Sequence, residues 1–548
     1  MNSAEAAGPD GAFAVERPLL EVLVCGVLAA ISSALVVLAV PRGGDLAAHL
    51  YRTSLVHHGV LVWDNLWFAG QYPLSSYSLL YYPLAAVVGN AALGIAGVVI
   101  AAAIFAAVAQ REWKSVGRWP ARTFAVLLAG QAFTAAYPYD MGVSMLLATL
   151  WALQRRRVGL AVCCVVLTLG FSPLAFLFLA LTLVALFLRH PRVDRRAVVV
   201  GAAVLLAGGV QLVSLRVLPA PGLVYPYGTW RLAAGLLVAA LGAAIAFRGR
   251  GGWPLASLFV VWSVATIVAY TIPSPVGHNL VRASVFVLPL VLVAAALAGF
   301  RPRSLAIAAI VAALASNVLP YAAMVPDRAS SIDAHASFWR PVVRFLGARS
   351  RPGYRVEVVP TANHWESYFL PAAGIAMARG WYRQLDIADD AVLYARRLTG
   401  ATYRDWLRAH AVRYVVLPHL ALEAIDARRE AELIESGAAG LRKVSSSAAA
   451  TTYELRHPQP MLTGPGPAAI TRLRSNEIDG WVGHAGTYLL RVHFTPYWTV
   501  RRGSVCTRSG PGGMTQLEAA RAGPFALRAI ETPIGLVDAL FDRSAKRC

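Results

Sequence analysis

The sequence predicts a polytopic α-helical membrane domain followed by an exported α/β and β-sandwich region. Of its 548 residues, 57% are hydrophobic and only 14% are charged, and the mean hydropathy is +0.55. Soluble proteins carry about 25% charged residues, so this composition is typical of an integral membrane protein. We place the membrane domain at residues 1–325, the α/β domain at 326–460 and the β-sandwich at 461–548.

We predict about eleven membrane-spanning helices, because segments of roughly 17 to 25 apolar residues are long enough to cross a bilayer. The fourth, fifth and sixth segments are short. Re-entrant helices are the alternative for the pairs around Tyr137-Pro138 and Ser172-Pro173. The predicted spans are residues 19–40, 84–109, 123–137, 141–154, 158–172, 174–188, 197–218, 231–247, 254–272, 282–299 and 304–324.

The arginines predict how these spans are oriented. The net charge is +21, but the basic residues punctuate apolar spans, so we expect no nucleic-acid partner. Cytoplasmic loops carry an excess of Lys and Arg. We therefore expect a multi-pass protein of the plasma membrane, with a cytoplasmic N-terminus and an extracytoplasmic C-terminal region. The basic loops are residues 111–122, 155–157, 189–196, 248–250 and 301–303.

The exported region shows two different patterns. After the last span, strand-like segments such as RVEVV (355–359) and VRYVVL (412–417) alternate with helical ones, which is typical of a small α/β domain. Beyond a proline-rich linker, alternating segments separated by glycine-rich turns predict a β-sandwich. Cys506 and Cys548 lie there, and an exported compartment permits a disulfide between them.

The strongest candidate for chemistry is GGDLAAHLYR (43–52), which directly follows the first span. Asp45 and His49 lie one helical turn apart on the same face, and Arg42 and Arg52 flank them. A carboxylate that can take a proton, beside cations that can hold phosphate, is what glycosyl transfer from a phosphate-linked donor requires. A solvated loop carboxylate is the alternative.

Two later outer loops add candidates. Asp140 can approach Asp45, and two carboxylates that face one aqueous cavity can bind a divalent cation or divide the acid and base roles. A helix cap is the alternative for Asp140. His278 and Arg282 lie one turn apart at the start of a span, where the arginine can clamp a lipid phosphate or extend to headgroups.

Aromatic residues are dense in the first outer loop and in two exported segments, TANHWESYFLPAAG and GWYRQLD. Aromatic side chains stack on sugar rings, so we expect them to bind sugar or acceptor. The alternatives are an interfacial aromatic belt for the loop and a packing cluster for the exported segments. The candidates are Trp63, Trp67 and Tyr72 in the loop and His364, Glu366 and Trp381 in the exported segments.

This layout resembles the GT-C class of polytopic glycosyltransferases, and within it the bacterial YfhO-like membrane proteins. The resemblance rests on GGDLAAHLYRTSLVHHGVLVWDNLWFAGQYPLSSYSLLYYPL and on HWESYFLP and GWYRQLD. It implies a sugar carried on polyprenyl phosphate, attack by an acceptor hydroxyl, and Asp45 as the general base. Many members carry two adjacent acids in the first loop, whereas Leu46 follows Asp45 here. That difference shifts attention to Asp140.

We therefore expect an inverting glycosyltransferase that uses a polyprenyl-phosphate sugar donor and a cell-envelope glycan or lipid acceptor. The alternative is a non-catalytic polytopic protein that transports or scaffolds envelope lipid or polysaccharide. Transporters usually need ionisable groups at mid-membrane, and here nearly every acid lies at a boundary. The expected site residues are Asp45 and His49 for catalysis; Arg42, Arg52, His278 and Arg282 for donor phosphate; Trp63, Trp67, Tyr72, His364, Glu366 and Trp381 for sugar or acceptor; and Asp140 with Asp45 for a possible divalent cation.

Overall fold

Helices make up the first part of the chain in the computed structural model. The structure describes residues 18–39, 44–74, 77–189, 194–218, 224–249, 252–328, 332–423 and 426–532. The helices of the first part are α1 (Pro18–Ala39), α2 (Gly44–His57), α3 (Tyr81–Val88), α4 (Asn90–Trp113), α5 (Arg118–Ala129), α6 (Tyr137–Gln154), α7 (Val158–Phe171), α8 (Pro173–Arg189), α9 (Arg195–Val217), α10 (Thr229–Arg248), α11 (Gly252–Thr271), α12 (Ser284–Leu297) and α13 (Arg303–Arg328).

Within the described residues, seven helical segments are long and apolar enough to cross a membrane. This is the composition of a membrane-embedded protein. All eleven predicted segments contain helix, but α4 and α5 form one continuous candidate of 44 residues, and α7 and α8 fall among the shorter apolar helices. The seven candidates are Pro18–Leu38, Asn90–Phe133, Arg195–Val217, Thr229–Arg248, Gly252–Thr271, Gly277–Leu297 and Arg303–Ala322.

Two glycines allow α4 and α6 to pack closely. A Cβ atom at Gly94 would lie 2.3 Å from the ring of Tyr137, and one at Gly97 would lie 2.9 Å from the sulfur of Met141. Small residues at such interfaces let helix backbones approach each other. The contact fixes the first turn of α6, which carries Asp140.

The elements that follow α13 begin with a mixed four-stranded sheet and its helices. We call the described residues from 332 to 532 the exported region, after the location that the sequence predicts; that location stays a prediction. The strand order of this sheet is β1-β2-β4-β3, with β1 parallel to β2 and the other pairs antiparallel. The two strands predicted from RVEVV and VRYVVL are β1 and β2. The elements are α14 (Ala336–Arg349), β1 (Arg355–Val358), α15 (Glu366–Ala372), α16 (Arg383–Asp389), α17 (Gly400–Ala409), β2 (Val412–Pro418), α18 (Asp426–Glu435), β3 (Arg442–Ser446) and β4 (Ala450–Glu454).

Two further four-stranded antiparallel sheets follow, with strand orders β10-β11-β8-β5 and β6-β7-β12-β9. Alternate residues of their strands are buried and share one hydrophobic cluster. The predicted β-sandwich goes beyond these pairings and stays a prediction. Cys506 is disulfide-bonded, and Cys548 lies outside the described residues. The strands are β5 (Leu462–Thr463), β6 (Ala468–Arg474), β7 (Glu477–Val482), β8 (Gly486–His493), β9 (Trp498–Arg502), β10 (Val505–Ser509), β11 (Met514–Ala519) and β12 (Gly523–Ala529).

The loop between α2 and α3 packs into the core of these sheets. The backbone N–H of Asn65 donates to the carbonyl of Ser475 at 2.7 Å, and the hydroxyls of Tyr72 and Thr495 lie 2.9 Å apart. The loop carries much of the aromatic content of the membrane half, and its rings join the buried cluster of the sheets. The loop therefore ties the exported region to the helices.

Candidate functional site

An ion pair joins two of the candidates that the sequence predicts. Asp45 lies in the first turn of α2, where the positive end of the helix dipole favours a carboxylate. Arg282 lies in the 3₁₀ segment Gly277–Ala283 that leads into α12. Its Nη2 donates to Oδ2 of Asp45 at 3.0 Å, and the two side chains are 22% and 23% exposed. Solvent and ligands can therefore reach both the carboxylate of Asp45 and the guanidinium of Arg282.

Arg282 keeps part of its hydrogen-bonding capacity unused. Its Nη1 is buried and has no hydrogen-bond partner in the part of the chain that the structure describes. The hydroxyl of Tyr139 donates to the backbone carbonyl of Arg282 at 3.2 Å, and the guanidinium carbon lies 5.9 Å from the ring centre of Tyr139. These contacts hold the backbone and leave one donor for a further acceptor.

His49 is held away from solvent. Its side chain is 1% exposed, its Nε2 lies 2.9 Å from the carbonyl of Ala135, and its Nδ1 lies 3.1 Å from the Tyr82 hydroxyl. A carbonyl only accepts, so Nε2 carries the proton and Nδ1 accepts from Tyr82. Burial lowers the pKa of His49 to about 4, so the ring is neutral at pH 7. The geometry assigns His49 to positioning α2.

Arg52 occupies an aromatic cage. It is 1% exposed, and its one hydrogen bond among the described residues goes from Nη1 to the Tyr82 hydroxyl at 3.3 Å, while Nε and Nη2 have no partner there. Its guanidinium carbon lies 5.0 Å from the ring centre of Tyr77 and 5.3 Å from that of Tyr382. Aromatic faces attract a cation, and Tyr382 brings the exported region into the cage.

Asp140 is fully buried, and neither carboxylate oxygen has a hydrogen-bond partner in the described chain. The charge of Arg282 acts on Asp140 as well as on Asp45. Across the described ranges, no group of three or more His, Cys, Asp and Glu residues is arranged to hold a metal.

His278 contacts a residue that the sequence did not single out. Its Nδ1 is hydrogen-bonded to Nη1 of Arg231 in the first turn of α10. Its ring centre lies 4.9 Å from that of Tyr225, whose carbonyl accepts from the His278 backbone N–H at 3.1 Å. Arg231 lies at the start of a predicted span, directly after a predicted outer loop. This position is the signal for Arg231 in the sequence.

The expected aromatic candidates of the first loop are buried. Trp63, Trp67 and Tyr72 are 2%, 0% and 6% exposed. The indole N–H of Trp63 donates to Asn65, and that of Trp67 donates to the carbonyl of Ser367. Their side chains contact other described residues of the protein, which favours a packing role over an interfacial belt or sugar stacking.

The exported candidates also form a packed cluster. The ring of His364 stacks on Trp381 with centroids 3.3 Å apart. Its nitrogens lie 3.5 Å from a carboxylate oxygen of Glu366 and 3.6 Å from one of Glu423. His364 and Glu366 are almost fully buried, so neither presents a free face in this structure.

The structure therefore brings together only part of the expected set. Asp45, His49, Arg52 and Arg282 surround one region at the junction of helices and exported elements, and Arg42 lies outside the described residues. Comparison with protein-family models and with curated proteins finds no match for this chain.

Proposed function

We propose that the chain is an inverting membrane glycosyltransferase that moves a sugar from a polyprenyl-phosphate donor to a hydroxyl of an envelope glycan or lipid. We base this on the Asp45–Arg282 pair, in which a carboxylate and a guanidinium are both partly exposed. Donor and acceptor of this class would meet where apolar helices adjoin the exported region. Asp45 and Arg282, which are 237 positions apart in the sequence, both belong to this boundary.

The pair supplies the two functions that the reaction needs. Arg282 has an unused Nη1, and a guanidinium binds phosphate through two parallel N–H donors. When the donor phosphate binds Arg282, the guanidinium stabilises the ionised carboxylate of Asp45 less strongly. Asp45 therefore becomes more basic.

The sugar transfer needs no co-reactant beyond the donor and the acceptor. Asp45 accepts the proton of the acceptor hydroxyl as that oxygen attacks the anomeric carbon. The bond between the anomeric carbon and the phosphate oxygen breaks, and the polyprenyl phosphate leaves with the electron pair. Arg282 stabilises the charge that develops on the leaving phosphate. Attack from the face opposite the leaving group inverts the anomeric centre.

The same proposal includes the arrangement of the helices in the membrane and the fold of the last eight strands. We place the site on the outer side of a GT-C-like bundle with a cytoplasmic N-terminus, in which α6, α7 and α8 enter or cross the membrane with the seven longer candidates. The basic loops support that orientation. We also expect the last eight strands to close as a β-sandwich, since their two sheets share a core.

Asp140 favours a second candidate function. It is a buried carboxyl group without a hydrogen-bond partner among the described residues, and such groups mark ion and proton paths in transporters. A transporter of envelope lipid or polysaccharide would use Asp140 for transport and would not need Asp45 as a base.

A transfer assay separates the two. The lipid that co-purifies with the protein is identified by mass spectrometry, and the matching polyprenyl-phosphate sugar is supplied in nanodiscs. Asp45→Asn should lower the transfer rate by roughly 10² to 10⁴ because the amide cannot take the proton. Asp405→Asn is the matched control, since that side chain is 76% exposed. A wild-type rate in Asp45→Asn would remove Asp45 as the base. No transfer by the wild type, together with lipid translocation that depends on Asp140, would instead support the transporter.

A further inference from the structure

The sheet with strand order β6-β7-β12-β9 has one buried face and one open face. Ile478, Val482, Phe525 and Leu527 belong to the buried cluster of the sheets. Side chains alternate between the two faces along a strand, so the residues between these four lie on the opposite face. Those residues are partly or well exposed, and we call their side of the sheet the open face. They are residues 477, 479 and 481 of β7 and residues 524, 526 and 528 of β12.

Trp481 lies on the open face. Its side chain is 40% exposed, and Ile332 is the other exposed large hydrophobic residue among the described residues of the exported region. The strand register places Ala469 of β6 and Pro524 of β12 directly opposite Trp481. Both neighbours are short, which leaves the indole ring partly open to solvent. The open face therefore offers one large aromatic surface to a ligand.

A row of charged side chains crosses the sheet beside Trp481. Arg472 of β6 pairs with Asp479 of β7, and the row continues through Ala526 of β12 to Arg502 of β9. The Nη1 of Arg472 lies 4.0 Å from Oδ2 of Asp479. Asp479 precedes Trp481 by two residues, which is about 7 Å along a strand. One extended ligand can therefore contact both the indole ring and this row.

A second charged row follows on the open face. Glu477 of β7 pairs with Arg474 of β6 and with Arg528 of β12. One of its carboxylate oxygens lies 3.5 Å from Nη1 of Arg474, and the other lies 3.7 Å from Nη1 of Arg528. The two rows together hold four guanidinium groups and two carboxylates. The open face therefore carries an excess of positive charge.

This combination of side chains fits a chain of sugar rings that carry negative charges. The electron-rich face of an indole attracts the C–H groups of a sugar ring. Arginine binds a carboxylate or a phosphate through two parallel donors, and the interleaved carboxylates of Asp479 and Glu477 can accept from sugar hydroxyls. The same two carboxylates would repel a nucleic acid, which carries a phosphate on every nucleotide.

We propose that the open face binds an anionic polysaccharide of the cell envelope, with Trp481 stacked on a sugar ring and Arg472 and Arg502 on the negative groups. Those groups are either carboxylates or phosphates. The open face is separate from the Asp45–Arg282 pair, so the proposal goes beyond sugar transfer and does not depend on it.

Binding is tested with the full chain in phosphatidylcholine nanodiscs, by biolayer interferometry with three soluble polymers. Polygalacturonate has sugar rings and carboxylates, dextran has uncharged sugar rings, and polyglutamate has carboxylates without sugar rings. The wild type should bind polygalacturonate more tightly than either of the other two. Trp481→Ala should weaken that binding about tenfold or more, because it removes the stacking surface. Arg472→Gln should weaken it to a similar extent, because it removes a charge-assisted hydrogen bond.

Arg508→Gln is the matched control for Arg472→Gln. Arg508 lies on β10 of the other antiparallel sheet, is 52% exposed and pairs with Glu518, much as Arg472, at 56%, pairs with Asp479. This variant should bind polygalacturonate as the wild type does. The thermal unfolding midpoints of all three variants should stay near that of the wild type, because the altered side chains are exposed.

A phosphomannan then replaces polygalacturonate in a second arm. Tighter binding of the phosphomannan would assign phosphate groups to the natural polysaccharide, and weaker binding would assign carboxylates. Equal affinities of Trp481→Ala, Arg508→Gln and wild type would overturn the proposal, as would equal binding of polyglutamate and polygalacturonate or no binding of either glycan. Asp45→Asn should keep polysaccharide binding while it loses transfer, so a failed binding surface and a failed transferase are separate results.

Discussion

At Asp45, the ion pair with Arg282 bears directly on the proposed role of the carboxylate as a base. Arg282 holds the carboxylate at 3.0 Å and favours its ionised form, which also lowers its affinity for a proton. In the proposed mechanism, the proton affinity of Asp45 therefore depends on what else Arg282 binds. His49 and Arg52 are buried next to this pair. His49 forms hydrogen bonds that fix α2, and Arg52 packs in an aromatic cage.

Arg282→Lys should weaken donor binding about tenfold or more with little loss of stability. Lysine keeps the charge opposite Asp45 but lacks the fork that binds phosphate through two donors. The apparent KM for the polyprenyl-phosphate donor and the unfolding midpoint measure the two effects. Arg408→Lys serves as the surface control, and an unchanged KM in Arg282→Lys would remove Arg282 from the donor site.

His49→Ala should lower kcat by roughly tenfold through misplacement of α2. It removes the hydrogen bonds to Ala135 and Tyr82. The pH profile above pH 5 should keep its shape, because burial lowers the pKa of His49 to about 4 and the ring is already neutral there. A lost limb of the profile near pH 6 to 7 would instead show that His49 transfers a proton.

At the scale of elements, the loop between α2 and α3 depends on Asp64. Its carboxylate is fully buried, accepts from the Tyr51 hydroxyl at 3.0 Å through both oxygens, and accepts from the backbone N–H of Leu66 at 3.2 Å. The backbones of Asp64 and Gln71 also pair with each other at 2.9 Å. This set of bonds holds the loop in the shape that enters the exported core.

Asp64→Asn should destabilise the protein by about 1 to 3 kcal/mol, because the amide turns an N–H toward groups that donate. Burial raises the pKa of Asp64 to about 7 from an ordinary value near 3.8. The stability that this raised pKa contributes to the wild type is present at pH 4 and is lost as the pH rises through 7.

The deficit of the variant should therefore be larger at pH 5 than at pH 8, in denaturant or thermal unfolding. Asp405→Asn, which is exposed, should show no such trend. A deficit that grows with pH would contradict the raised pKa.

The sequence predicts the elements better than the contacts between them. Long apolar runs identify the helices, and alternation identifies β1 and β2, because both patterns are local. The aromatic first loop fits a membrane belt and a buried core equally well, so its burial against Trp498 depends on strands that come much later. Arg231 was missed for the same reason, since only the folded chain brings its guanidinium to the ring of His278.

At the scale of the whole molecule, the helices and the exported sheets share buried contacts. The Tyr497 hydroxyl donates to the carbonyl of Val217 at 2.7 Å, and the Glu531 carboxylate accepts from the backbone N–H of Leu61 at 2.6 Å. These contacts join the sheets to the end of the helices at which Leu61 and Val217 lie, so the side of the membrane on which that end lies is also the side of the sheets.

Cysteine labelling tests that side. Ser446→Cys, exposed in β3, should react with a membrane-impermeant maleimide from outside intact cells, because the basic loops belong in the cytoplasm. Ser115→Cys, in the exposed turn between α4 and α5, should react only after the inner membrane is opened. The reverse pattern would invert the topology and end the glycosyltransferase proposal.

The bond between the Asn65 amide and the carbonyl of Arg474 spans 409 positions, and this separation sets a waiting time during synthesis. At about 5 to 20 residues per second, roughly 20 to 80 seconds pass between the two ends leaving the ribosome. The first loop must remain unaggregated for that interval, with Trp63 and Trp67 not yet covered by later strands. Aromatic side chains partition to the membrane surface, so the lipid headgroup layer would shelter the loop until the last strands arrive.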